Sequence, residues 1–205
     1  MKEMYNNYKQ ELSNKNNLVI LVAIIMIMGL IFGSIYITIL SNDQKVSIMK
    51  QVNSYYLSMK TIDFEGKIEI FKNNLYSNLI YTSIIWLLGI SIIGIPIIFI
   101  MVFFKSFIIS FSISSIFAKY KINGILKALI YIFPSNLLLL IFVIFLSTYS
   151  ILISSKLFSS AIKKESLNFR TFMGKYLFIL VLSVLVSILC SLYDAFVSPF
   201  IYKFI

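Results

Sequence analysis

Apolar residues in this chain run in long blocks that no charge interrupts. Leu18 to Leu40 holds 23 residues, 73–104 holds 32, Ala128 to Ser155 holds 28 and Tyr176 to Tyr193 holds 18. A hydrocarbon core about 30 Å thick is crossed by roughly 17 to 25 helical residues rising about 1.5 Å each. Each block is therefore long enough to span a bilayer. The expected spans are 18–40, 77–103, 105–118, 128–154 and 176–199, a single integral membrane domain over 1–205 with a polar loop at 41–76. The fold class is all-α, a polytopic membrane helical bundle of about five transmembrane segments. The third rests on only 13 uncharged residues, Ser106 to Ala118, and is either a short span that uses its neighbours or a re-entrant limb.

Glycine and proline mark where these helices should bend or meet. Gly29 and Gly33, four apart, bare one face of the first span so that another helix can approach closely. Gly89, Gly94 and Pro96 interrupt the second block, and a proline lacks the backbone N–H and clashes one turn back. Pro96 thus predicts a kink near the middle of 77–103. Pro134 and Asn136 lie within the fourth span, and tyrosines such as Tyr76, Tyr149, Tyr176 and Tyr193 lie near span ends, as an interfacial belt would place them.

The polar segment 41–76 carries its own period. Val46, Met49, Val52, Tyr56 and Met59 recur at helical spacing, and Phe64, Ile68, Phe71 and Leu75 do so again on the way into the second span. Two amphipathic helices follow, able to rest on lipid, pack on the bundle or face a partner. Lys50, Lys60, Phe64, Ile68 and Phe71 are the candidate partner-facing residues.

Composition strengthens the membrane reading. The chain of 205 residues is 60% hydrophobic and 13% charged, about half the charged fraction of a soluble domain. Its net charge of +10 sits in short segments beside apolar blocks, where it meets lipid headgroups rather than nucleic acid. The first block follows Lys2, Lys9 and Lys15 but exceeds a signal-peptide core of about 7 to 15 residues, so it should stay as an anchor. Counting Lys and Arg by loop gives nine on each side, a tie that leaves orientation to the first helix and favours an N-terminus inside.

Little chemistry is on offer. There is no histidine, one cysteine (Cys190) and only eight carboxylates, so imidazole-dependent dyads, thiolate cages and disulfides within the chain are excluded, and no cofactor is expected. Asp194 is the one acid inside an expected span. At the bilayer centre it would cost about 2.5 to 3.5 kcal/mol, but Pro199 follows closely and the carboxylate can reach the interface as a polar anchor.

These residues also resemble a known family. The run Trp86 to Phe99, followed by Phe103 to Phe107, resembles the signature of the stage II sporulation protein M family, as do Asn123-Gly124 and Phe133-Pro134-Ser135-Asn136-Leu137-Leu138. Met28 to Gly33 and Ser198-Pro199 extend the likeness to both ends. Where the family often has glycine this chain has Ser106 and Ser110, which weakens tight packing there without removing it. The resemblance implies a polytopic protein of the mother-cell membrane in endospore formation, needed for engulfment of the forespore. It further implies a non-catalytic anchor that localises stage II sporulation proteins D and P, which degrade peptidoglycan. The competing expectation is a permease-like transporter subunit with a polar, water-filled cavity.

Overall fold

The computed structural model describes residues 2–91, 93–122, 124, 132–163 and 169–202, and their side chains apart from 2–15, 60, 161–163, 169–172 and 202. Among the described residues every regular element is helical. They are α1 (Lys2–Ile39), α2 (Asn42–Lys60), α3 (Phe64–Gly89), α4 (Gly94–Tyr120), α5 (Phe133–Lys163), α6 (Phe169–Leu192), a π-helical turn (Tyr193–Val197) and α7 (Ser198–Tyr202). Four stretches are long and apolar enough to cross a membrane: Asn16–Ile39, Gly94–Tyr120, Phe133–Ser160 and Met173–Ile201. The chain is thus an all-α polytopic membrane bundle.

Side-chain contacts fix the directions. Gly29 and Gly33 of α1 meet Phe103 and Phe107 of α4 in the same order, so these two helices run parallel. On α3, Tyr81 bonds the carbonyl of Met101 and Asn78 bonds Lys105, so α3 and α4 form an antiparallel hairpin turning at 90–93. Gly89 abuts Ser150, and the Tyr176 hydroxyl reaches the Trp86 carbonyl, which sets α5 alongside α3 and α6 against both. One end of the bundle gathers the 90–93 turn and Tyr176. The other carries α2, the C-terminus of α4 and α7.

The hairpin corrects the expected single span over 77–103 with a kink at Pro96. The chain reverses instead, and Pro96 lies at the third position of α4. A missing N–H breaks nothing there, because the first four N–H groups of a helix have no intrahelical acceptor. The segment read as a short 105–118 span is the second half of the 27-residue α4, a full crossing with no re-entrant limb. Pro134 likewise sits in the first turn of α5, and the expected start of that span at 128 lies outside the described residues. Moving Lys105 from a loop into a span changes the basic tally by chain position to eight and nine, still without a direction.

α3 is 26 residues long but polar in its first half, with Lys67, Lys72, Asn73 and Asn74, and Asn78 follows just beyond. Its start is set by Asp63, whose carboxylate accepts the Gly66 N–H at 2.9 Å. α2 starts at a capping box in which Ser41 and Gln44 bond each other's backbones.

The packing is inverted relative to a soluble protein. Ser106, Ser147, Ser150, Ser154, Ser187 and Ser191 are buried, while Ile27, Ile31, Phe178 and Leu185 face outward. Outside, lipid tails accept the apolar residues. Inside, small hydroxyls let backbones approach and bond back to their own helices, as Ser183, Ser187 and Ser191 do to the carbonyls four residues earlier. Aliphatic side chains, Val22, Ile85, Ile98, Val102, Val143 and Leu146, fill the remaining core.

Candidate functional site

The glycines singled out by spacing sit at close backbone approaches. A Cβ on Gly29 would lie 2.5 Å from the Phe103 carbonyl oxygen, and one on Gly33 would strike that of Phe107. Beside them Ser110 donates to the Leu30 carbonyl at 2.6 Å and shares a hydrogen bond with Ser34. Serine here is small enough to pack and also ties α4 to α1. Gly89 faces Ser150 and the Tyr176 hydroxyl, whereas Gly94 abuts the Leu88 carbonyl within its own turn. Pro96 is exposed and takes no part in these contacts.

Tyr176, read only as a belt residue, is completely buried. Its hydroxyl donates to the Trp86 carbonyl at 2.7 Å and pairs with Ser150 at 2.8 Å, and its ring stacks on Trp86 at 5.2 Å. This locks α3, α5 and α6 together at the turn end.

The opposite half is polar. Asn74, Asn78 and Thr82, spaced by four, line one face of α3. Asn74 Nδ2 donates to Asp194 Oδ2 at 3.2 Å, while Lys105 Nζ donates to Asn78 Oδ1 at 3.3 Å and lies 5.1 Å from the Tyr81 ring centroid. Each charge is thus held by an amide of α3 rather than by the other charge. Even a half-buried ammonium is costly in a membrane, and the amide and the ring face are its compensation.

Asp194 reaches this place because the helix widens around it. Pro199 lacks an N–H and crowds the carbonyl four residues back, and just before it the Ser198 N–H bonds five residues back, to Tyr193. The resulting π turn sets Asp194 between helices, half-buried, beside Ser135 and Asn74.

Above Asp194 lies a cavity of about 490 Å³. Its walls come from α2 (Val52, Tyr55, Tyr56), α4 (Phe111, Ser112, Ser115), Asn74 and Asn136. Asn136 also bonds the Ile132 carbonyl at 2.9 Å, steadying the start of α5. α2 forms the roof: Tyr56 and Met59 are buried with Ile116 against Ile70, Ile113 and Ile132. Of the three options for this amphipathic helix, packing on the bundle is the one observed. Its stripe begins later than the spacing suggested, since Val46 is exposed.

Among the candidate partner-facing residues, Lys50 and Phe64 are exposed and Ile68 and Phe71 are half-buried, with the Lys60 side chain outside the described residues. The Phe64 ring leans on Phe196, 6.4 Å away. Among the described residues no group of three His, Cys, Asp or Glu side chains could hold a metal ion.

Sequence reasoning named Lys105, with Asp194 and Asn136, as an isolated polar group and tallied it with the loop charges, without a partner for it, and it missed the Asn74–Asn78–Thr82 stripe. A four-residue polar spacing leading into an apolar block was the available signal. In comparisons with known proteins, the family model for stage II sporulation protein M matches residues 21–199. No curated protein and no solved structure matches.

Proposed function

Because the chain belongs to the stage II sporulation protein M family, we propose that this membrane protein is a non-catalytic scaffold of the engulfing mother-cell membrane. In this reading it positions the peptidoglycan hydrolases, stage II sporulation proteins D and P. The observation that carries the proposal is α2. Its 19 residues are too polar to enter a bilayer, yet Tyr56 and Met59 fix it to the bundle end. A rigid helix held outside the membrane core is what a localisation factor needs, because hydrolases of peptidoglycan work beyond the bilayer surface. The outward residues Lys50 and Leu57 are placed for recognition.

Crosslinking and affinity purification from sporulating cells tests this. Proteins D and P should be recovered with the wild-type chain and lost with Lys50→Glu combined with Lys60→Glu, while membrane insertion is unchanged. Recovery of neither protein by the wild-type chain would overturn the scaffold reading.

A permease-like role has one observation in its favour, the cavity whose polar groups gather at Asp194, with Lys105 half-buried on α4. It requires a path onward to the opposite end. There Gly89, Ser150 and Tyr176 pack in close contact, which favours the scaffold.

A further inference from the structure

We propose that the cavity under α2 is a receptor for one basic side chain, a Lys or Arg carried by another polypeptide where its membrane anchor meets the surface. This deepens the scaffold reading and rests on it for the kind of partner.

The inference starts from the lining. The walls are apolar and aromatic, with Val52, Tyr55 and Phe111, and the polar groups converge on one place, Asp194 with Asn74 and Asn136. About 490 Å³ lies within the range of small-ligand sites, roughly 300 to 1,000 Å³, and exceeds what one bridging water needs. A carboxylate accepts about four hydrogen bonds, and Asn74 and Ser135 at hand leave capacity for a donor from the cavity. The internal ammonium of Lys105 is engaged by Asn78 and the Tyr81 face instead. The fitting occupant has an apolar stem and a cationic head, which is the build of a long basic side chain.

Two sources offer such a head, a basic side chain and an aminophospholipid, and the lining decides between them. An aminophospholipid brings a phosphate beside its ammonium. None of the described lining residues is Lys or Arg, so that phosphate would meet no cation among them. A lysine or arginine side chain brings no such group. The position agrees: the cavity lies at the bundle end that carries α2 and α7, which is where the basic flank of a single-span protein would arrive.

The test uses the full-length protein in phosphatidylglycerol nanodiscs. The probe is a synthetic single-span leucine/alanine peptide, labelled for fluorescence, with one flanking lysine or with norleucine in its place. Wild type should bind the lysine peptide about tenfold more tightly or better, the scale of a partly desolvated charge pair. Asp194→Asn keeps the shape and should abolish the preference, as should Ser112→Trp, which fills the cavity from its wall. Both variants are required to keep the wild-type melting temperature within a few degrees, and should either fail this, competition of the lysine peptide by n-butylammonium in wild type decides. Equal binding of the two peptides, or a preference that survives Asp194→Asn, overturns the assignment. Displacement of the lysine peptide by phosphatidylethanolamine would give the cavity to lipid and also overturns it. Loss of the lysine preference alongside intact recovery of proteins D and P sinks only the cavity assignment. The reverse pattern sinks only the scaffold.

Discussion

A single methyl group at Gly33 would meet the Phe107 carbonyl, and neither backbone can yield without parting α1 from α4. Gly33→Ala should therefore lower stability by about 1 to 3 kcal/mol, the usual effect of overpacking. Gly174 has no atom within 4 Å of where a Cβ would stand, so Gly174→Ala should gain up to about 1 kcal/mol from helix propensity alone. Thermal melts of the two variants in one detergent check the contrast, and equal shifts would show that the contact is slack. Tyr176→Phe removes a hydroxyl that serves both Trp86 and Ser150 while keeping the ring stack, and should lower stability by about 1 to 3 kcal/mol in the same assay. Lys121 closes α4 with φ at 52°, a conformation that suits glycine, so Lys121→Gly should raise the melting temperature. Of these residues only the glycine pair was legible beforehand, because a spacing of four reports a shared helix face. The partner that a buried tyrosine will find is a tertiary matter.

At the level of elements, Tyr56 and Met59 are the buried apolar side chains that seat α2 on the bundle, and detaching it should not unfold the spans. Tyr56→Ala with Met59→Ala should expose 42–60 to protease while the membrane bundle keeps its helicity, as limited proteolysis and circular dichroism together would show. Unchanged protection would mean that other contacts carry the helix. The apolar stripes of 41–76 were readable because helical spacing survives any tertiary outcome, but which neighbour the stripe meets was not. The α3–α4 hairpin was misread for a physical reason. An uncharged run of 32 residues fits one long kinked helix or parts of two helices equally well, and proline is compatible with a kink and with a first turn alike. The acidic N-cap Asp63 and the turn between Gly89 and Gly94 decide for two helices.

Across the whole molecule four stretches are apolar enough to cross a bilayer where the sequence suggested about five, and α3, too polar to count among the four, runs alongside them. In a Cys190→Ala background, cysteines introduced at Asn42 and Lys121 should react with an impermeant maleimide from one side of the membrane. One at Ile93, in the exposed turn, should react from the other. Asn42 and Ile93 labelling from a common side would overturn the topology. The candidate site was only half legible at this scale: Asp194 could be named, but its neighbours come from helices far apart in the chain, and no local pattern joins Asn74 to a residue 120 positions later. That separation has a consequence for biogenesis. When α3 leaves the ribosome its polar half has neither Lys105 nor Asp194 to bond, so its entry into lipid is unfavourable on its own. α3 should wait in the translocon until α4 folds back on it, and its Asn74 should stay hydrated until α6 arrives. A nascent chain arrested after residue 92 should then leave Asn74 open to aqueous thiol reagents as a cysteine, and one released after residue 202 should shield it.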